Sequence, residues 1–158
     1  MSEQYLMILV ESLKKKLTVM DELIRLCKMQ RDILSAEDIS FEEFDRCVDD
    51  KDICLEQLQK LDDGFELVYN RVEQELKDNK QKYAAQIKEC QELISLIIDR
   101  SMEVQALEAR NKQMVEEHFK KEKRALGQGK RSVEVAKSYY KSMSNAGVVP
   151  PQFMDKKK

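Results

Sequence analysis

The stretch Ile39-Ser-Phe-Glu-Glu-Phe44 marks the start of a helix and largely decides the fold. Ser40 and Glu43 have the spacing of a capping box, in which the serine side chain accepts from the amide of Glu43 and the glutamate reaches back to the amide of Ser40. Ile39 and Phe44 stand where a hydrophobic staple would place them. A helix is therefore predicted directly after Ser40. Because the connection before it is short, we expect it to run antiparallel to the preceding helix.

The preceding helix, predicted over residues 3–35, carries an apolar seam. The seam residues recur at alternating spacings of four and three, which is typical of helices packed at a shallow angle in bundles and coiled coils. They are Leu6, Val10, Leu13, Leu17, Met20, Ile24, Cys27 and Leu34.

The second helix carries a similar apolar line from Phe44 to Leu76. Gly64 interrupts it, but a glycine inside a helix costs only about 1 kcal/mol and does not force a break. The polar run at 77–82 predicts a turn with Asn79 as the C-cap. The apolar line can also be continued through this run as a single helix. We favour the turn, because one continuous helix would leave its apolar line unpaired.

A third, longer helix is predicted from about residue 81 to residue 125. If it starts level with helix one, it pairs with that helix as far as Met114, and Phe119 lies beyond the end of its partner. The fold class is thus all-α: a long antiparallel hairpin plus a third longer helix, forming a three-helix, coiled-coil-like bundle over residues 1–126.

Residues 127–158 are expected to form a basic, largely flexible C-terminal tail. Within it, residues 132–143 have the spacing of a short amphipathic helix, which would be marginal alone in water. The final part, residues 145–158, contains both prolines of the chain and ends in three lysines, so we expect it to be disordered.

Charge divides the chain close to the same boundary. Residues 120–158 carry 11 Lys and Arg against 3 Asp and Glu, a net charge of +8, whereas the first 119 residues carry 17 against 27, a net charge of −10. The acidic body would repel phosphate, so no nucleic-acid binding is expected. The apolar run at residues 5–10 is too short for a signal peptide or a membrane span, so we expect a cytoplasmic protein without membrane insertion.

The sequence contains no recognisable catalytic or metal-binding pattern. Its four cysteines include no C-x-x-C pair, and His118 is the only histidine, so buried reduced thiols are expected rather than a metal site. Carboxylates scatter along helical faces, and nothing singles out a pair for acid–base work. The chain is therefore expected to bind another protein, with no enzymatic activity, cofactor or metal.

Late in helix three, the stretch Leu107-Glu-Ala-Arg-Asn-Lys-Gln-Met-Val115 resembles one found in the FlgN-type flagellar export chaperones. Family members often carry an asparagine-containing stretch followed by two apolar residues, which Asn111, Met114 and Val115 match. A second asparagine, frequent three residues earlier in the family, is Glu108 in this chain. The helix layout over residues 3–126 is also similar.

The resemblance implies a chaperone of flagellar type III export. It would bind the C-terminal helical segments of hook-associated proteins at the hook–filament junction, prevent their premature assembly and deliver them to the export gate. Related flagellar chaperones dock there through a C-terminal tyrosine-bearing segment, for which Tyr139 and Tyr140 are the candidates. The alternative is a structural coiled-coil scaffold or adaptor without chaperone activity, and the sequence leaves open whether the chain is a monomer or a dimer.

A client helix could complete the bundle by lying against the unpaired end of helix three, a helix-in-groove mode of recognition. The apolar residues there could instead be ordinary core packed on helices one and two. With the asparagine that the resemblance adds, the predicted client-binding residues are Leu107, Asn111, Met114, Val115 and Phe119.

Overall fold

The computed structural model describes residues 2–121, 128–144 and 153–154. Four α-helices and no strand occur in these residues, so the predicted all-α class is confirmed. The helices are α1 (Ser2–Ser35), α2 (Phe41–Asp78), α3 (Ala84–Lys121) and α4 (Gln128–Ser144).

The two predicted helix boundaries of α2 are confirmed. Ser40 is its N-cap, and the serine side chain accepts a hydrogen bond from the amide of Glu43 at 3.2 Å. At the other end, Asn79 is the C-cap, and its backbone N–H donates to the backbone carbonyl of Leu76 at 3.3 Å. The helix continues without a break through Gly64. The polar run after it is therefore a turn, and the chain reverses direction there.

α1 is the central helix of the bundle, with α2 antiparallel and α3 parallel to it. Ion pairs such as Asp21–Arg100 run along the edge between α1 and α3. No Cα atom of α2 lies within 8 Å of one in α3 in the described part of the chain. α2 and α3 therefore flank α1 and leave a cleft between them, which we call the α2–α3 cleft.

The predicted seam of α1 is packed inside this single chain. Leu6, Leu13, Met20 and Cys27 are at most 1% exposed. Since their partners are helices of the same chain, the heptad spacing is explained by intramolecular packing.

α1 also buries a second line of residues at heptad spacing, which the apolar pattern alone does not reveal. This line consists of Ser2, Leu9, Lys16, Leu23 and Gln30. Its polar members bond to α2: Lys16 donates to Asp62 at 2.7 Å, and Gln30 accepts from Lys51. A helix with neighbours on two sides needs two buried lines, and here the second line alternates polar and apolar residues.

α4 lies over the α2–α3 cleft at the end where α3 finishes. Near the start of α4, Ser132 donates a hydrogen bond to Asp45 of α2 at 2.7 Å. One turn further, Ala136 is 2% exposed. The sequence predicts a short helix at residues 132–143, and α4 extends it by four residues at its N-terminal end and by one residue at its C-terminal end.

Part of the segment expected to be disordered packs on α2. The rings of Phe153 and Tyr69 have centroids 5.1 Å apart, and Met154 is 8% exposed. Packing of Phe153 and Met154 on the bundle is favourable, because it removes their apolar surface from water. Residues 145–152 and 155–158, to which the same expectation applied, lie outside the described residues.

Candidate partner-binding site

The five predicted client-binding residues lie on α3, but they are not on an unpaired end. Phe119 packs against Phe41 and Phe44 of α2, with both ring-centroid distances 5.9 Å. The expectation that Phe119 loses its neighbours is therefore wrong. The first turn of α2 begins beyond the end of α1 and supplies the aromatic partners that α1 does not.

These five residues differ in how far solvent reaches them. Asn111 and Val115 are buried, whereas Leu107, Met114 and Phe119 are partly buried against the core. Among them, Asn111 bonds to α1 and Phe119 packs on α2.

Asn111 holds α3 to α1 through its side chain. Its Nδ2 donates to the backbone carbonyl of Cys27 at 2.9 Å. Its Oδ1 is buried and has no hydrogen-bond partner in the described residues. A buried acceptor without a donor is unfavourable by roughly 1–3 kcal/mol, so this oxygen lowers the stability of the packing between α3 and α1.

One turn before Asn111, four side chains form what we call the polar cluster. Each helix of the bundle contributes one of them: Gln30 from α1, Lys51 from α2, Glu108 from α3 and Tyr139 from α4. The Lys51 Nζ lies 2.6 Å from one carboxylate oxygen of Glu108 and also donates to the Gln30 side-chain carbonyl. The Tyr139 hydroxyl donates to the other carboxylate oxygen of Glu108.

The polar cluster is sealed from solvent. Gln30, Lys51 and Tyr139 are 0% exposed, and Glu108 is 2% exposed. A buried ion pair persists only when its remaining hydrogen-bonding positions are satisfied, because both charges lose their hydration. Tyr139 helps in two ways, since it donates to Glu108 and its ring lies 4.3 Å from the Lys51 ammonium.

Burial keeps Tyr139 in the donor form. Loss of solvation raises the pKa of its hydroxyl, and the negative charge of Glu108 raises it further. The neighbouring Tyr140 is partly buried; its hydroxyl accepts from Gln30 Nε2 at 3.4 Å, and its pKa is likewise raised, chiefly by burial. Both predicted docking tyrosines therefore face the bundle in this conformation.

A groove of about 610 Å³ remains open between α4 and the end of α3. Its apolar walls include two of the predicted client-binding residues. The wall residues are Val115, Phe119, Val133, Ala136 and Tyr140, and the lysines around them are Lys112, Lys120, Lys137 and Lys141. α4 thus covers this part of α3 incompletely.

Sequence reasoning missed the polar cluster apart from its tyrosine. Glu108 was visible only as a departure from the asparagine frequent in similar chaperones. Lys51 had a signal that could have been used, since it interrupts the apolar line of α2 between Cys47 and Cys54. A lysine on a core-facing line needs a buried acceptor, but the sequence does not say which carboxylate supplies it.

The four cysteines are buried free thiols, as predicted. Burial is the main reason their pKa values are raised, to about 11 for Cys47 and Cys54 and to about 12 for Cys90. The pKa of Cys27 is also raised, by burial and then by the charge of Glu108. These thiols therefore stay protonated near neutral pH and are poor nucleophiles.

The fold and site define a helical-bundle protein whose fourth helix occupies a cleft between two others. The family model described as FlgN protein matches residues 1–141, so the chain belongs to the FlgN family. Membership implies a general role as a flagellar export chaperone. No curated protein and no solved structure matched the chain. None of the helices in the described residues is both long enough and apolar enough to cross a membrane.

Proposed function

We propose that this protein is a cytoplasmic chaperone of flagellar type III export that binds hook-associated proteins through their C-terminal helical segments. It would shield those segments from premature assembly and deliver them to the export gate, acting by binding alone, without catalysis or a cofactor. The observation that carries this proposal is the family match over residues 1–141, which includes α1, α2, α3 and most of α4.

The architecture supports a helix as the bound element. α1, α2 and α3 make three sides of a bundle, and in the described residues α2 and α3 meet through side chains such as Phe44 and Phe119 while their Cα atoms stay more than 8 Å apart. α4 lies over the resulting cleft, which indicates that its dimensions suit a helix. A client helix would bind in the same way, with its apolar face in the groove.

Two of the five predicted client-binding residues, Val115 and Phe119, line the open groove beside α4, and a third, Asn111, has a buried acceptor without a partner in the described residues. For Tyr139 and Tyr140, a role in docking at the export gate requires that α4 leave its present position, because both are held against the bundle.

A binding experiment tests the proposed function. The full-length protein is mixed with C-terminal helical segments of several hook-associated proteins, and complexes are detected by light scattering and calorimetry. We expect a stoichiometric complex, with binding at least tenfold weaker for Phe119→Ala. A matched control is Leu67→Ala, because Leu67 is 65% exposed on α2 and should leave the affinity unchanged.

Circular dichroism must show that both variants keep their helix content. If none of the clients forms a complex with the folded wild-type protein, the proposed function is wrong.

A further inference from the structure

The groove between α4 and the end of α3, which we call the α3–α4 groove, combines an apolar floor with a basic rim. We propose that this groove binds an amphipathic helix whose apolar ridge is flanked by acidic side chains, and that α4 stays in place as one wall of the groove. The identity of that partner as a flagellar client rests on the proposed function, whereas the chemistry of the groove does not.

The floor of the groove is built from apolar side chains at helical spacing on both walls. Val115 and Phe119 of α3 are one turn apart, and α4 adds Val133, Ala136 and Tyr140 at spacings of three and four residues. Phe119, Val133 and Tyr140 are only partly buried, so part of their apolar surface stays in contact with water. The groove measures about 610 Å³, within the roughly 300–1,000 Å³ of typical ligand clefts, which suits the side chains along one face of a partner.

The rim of the groove carries an excess of positive charge. Its charged side chains are Lys112, Glu116 and Lys120 on α3 and Lys137 and Lys141 on α4, which gives four positive charges against one negative, a net charge of +3. All five residues are exposed. Neighbouring charges on each wall are four residues apart and therefore lie one helical turn apart on the same face. A helix lying along the groove can match this spacing with carboxylates on its flanks, and the long lysine side chains can reach them.

A second groove shows that a basic rim is not a general property of the apolar surfaces of this bundle. It lies between α1 and α2, measures about 740 Å³ and is lined by apolar side chains such as Met7 and Val68. Its charged side chains are Glu11, Lys15 and Lys60, a net charge of +1. Both grooves are apolar and of similar size, so charge is what distinguishes the α3–α4 groove.

The charge of the rest of the chain adds to this selection. Residues 1–119 carry a net charge of −10, so an acidic partner is repelled by most of the bundle and attracted to the basic rim. Complementarity of this kind increases the association rate and the specificity. The apolar ridge is needed as well, because exposed ion pairs alone contribute little free energy. A nucleic acid offers the negative charge without the ridge, so the groove suits a protein helix better.

Three fluorescent peptides test the charge requirement on the full-length chain. They share an apolar ridge of leucines and a lactam bridge on the opposite face, which holds them helical, and they differ only in flanks of Glu, Gln or Lys. By anisotropy at low salt, we expect the Glu peptide to bind at least about tenfold more tightly than the Gln peptide, and the Lys peptide to bind most weakly. High salt should remove most of this advantage, because the rim is exposed. Equal binding by the Glu and Gln peptides, or no binding by any of the three, would overturn the proposal.

Two charge-reversed variants locate the binding surface. Lys120→Glu and Lys137→Glu are combined in one variant, and Lys15→Glu and Lys60→Glu, on the rim of the other groove, are combined in a control with the same change in net charge. The first variant should bind the Glu peptide at least about tenfold more weakly and the Lys peptide more tightly, whereas the control should stay within about threefold of wild type. An equal loss in both variants would contradict the assignment.

The gain for the Lys peptide is a readout that a loss of structure does not produce. Circular dichroism should show unchanged helix content in both variants. If glutamate lowers the helix content of either, glutamine at the same positions takes its place, and the Glu peptide should still bind more weakly to the α3–α4 groove variant than to the control.

Competition separates this inference from the proposed function. A hook-associated segment bound to the wild-type protein should be displaced by the Glu peptide. Client binding that the Glu peptide leaves unchanged would overturn the inference and leave the proposed function intact. Binding of the Glu peptide at the α3–α4 groove, with no binding of any hook-associated segment, would do the reverse. A single-stranded oligonucleotide of the same net charge should not displace the peptide, and displacement at equal concentration would overturn the choice of a helix as the partner.

Discussion

The interfaces of α1 and those of α4 are built from different chemistry. Along α1, the contacts with α2 and α3 consist mainly of fully buried aliphatic side chains, such as Leu13 and Leu23. α4 is attached by hydrogen bonds from Tyr139 to Glu108 and from Ser132 to Asp45, and by apolar contacts of Ala136 and of the partly buried side chains Val135, Tyr140 and Met143. Both regions are helical, but α1 buries a long series of aliphatic side chains, whereas the buried side chains of α4 in the described residues are Ser132, Ala136 and Tyr139.

The two kinds of contact therefore contribute differently to the stability of the bundle. Aliphatic burial gives a non-directional free energy that any well-packed bundle retains. Hydrogen bonds to a buried charge are directional and can be supplied equally well by another molecule. The structure therefore combines three helices joined mainly by aliphatic burial with a fourth that also depends on directional hydrogen bonds. Each of the following predictions perturbs one of these two regions.

Alkaline pH should give the largest effect, and it should act on the core. The unfolded thiols titrate near pH 8.5, whereas those of Cys47, Cys54 and Cys90 in the folded chain titrate at about 11 to 12. Between these limits the folded state holds more protons, so stability falls as pH rises. Each thiol contributes up to about 1.4 kcal/mol per pH unit.

Lys16 acts in the opposite direction. Burial lowers its pKa below 10.5, so the unfolded state binds the extra proton and stability rises with pH through the alkaline range. One lysine cannot offset four buried thiols, and the net result is a loss of stability above about pH 8.5. Urea titrations at pH 8 and pH 10 measure it. Cys90→Ala should remove about a quarter of the drop, and an unchanged slope in that variant would contradict the assignment.

The core substitution Leu23→Ala should give the next largest effect. Leu23 is 0% exposed in the second buried line of α1, and truncating such a leucine costs about 2–5 kcal/mol in the free energy of unfolding. Urea denaturation followed by circular dichroism measures the change. Leu67→Ala, on the exposed face of α2, is the control and should stay within about 0.5 kcal/mol of wild type. A loss of helical structure confined to α4, with no change in the free energy of unfolding of the bundle, would contradict the role of Leu23 in the core.

Tyr139→Phe should act on α4 and leave the core nearly unchanged. The variant keeps the ring but loses a hydrogen bond to a charged acceptor, which is worth about 1.5–3 kcal/mol. We expect hydrogen exchange of the α4 amides to become about 10- to 100-fold faster, with exchange in the middle of α1 unaffected. Tyr140→Phe is the matched control, because the Tyr140 hydroxyl only accepts one long bond from Gln30. Equal acceleration by the two variants would argue against a special role for Glu108.

Gly64→Ala should give the smallest effect, and it should be stabilising. Gly64 lies within α2, and a Cβ atom there would meet nothing within 4 Å. Alanine should therefore raise the free energy of unfolding by about 0.5–1 kcal/mol through its higher helix propensity. Thermal unfolding measures this gain. The α4 exchange rates should not change, since the substitution is remote from the polar cluster.

Much of the bundle could be predicted because it depends on local patterns. The N-cap at Ser40 and the C-cap at Asn79 are satisfied within a few residues, so their sequence signals are complete. The apolar seam of α1 was predicted correctly for the same reason. The spacing of the seam residues and their apolar character can both be seen within one segment of the sequence. The second line of α1 was missed because Lys16 and Gln30 do not look like core residues until Asp62 and Lys51 stand opposite them.

The site was predicted in part. Its place on α3 and its residues follow from an apolar stretch and a family resemblance, but their role in client binding stays a prediction. The position of α4 could not be read in the same way. Residues 132–143 show a helical period, and nothing in that period says whether the helix packs on its own bundle.

By itself, the sequence determined an all-α chain, its helix boundaries at Ser40 and Asn79, and the seam that joins its helices. These features depend on interactions between residues close in sequence or repeated at a fixed period. Only the tertiary structure decided that α2 and α3 stay apart, that α4 lies over the cleft between them, and that Glu108 joins Lys51 to Tyr139. A buried charge is tolerated only where its partners converge, and those partners come from four helices that are distant along the chain.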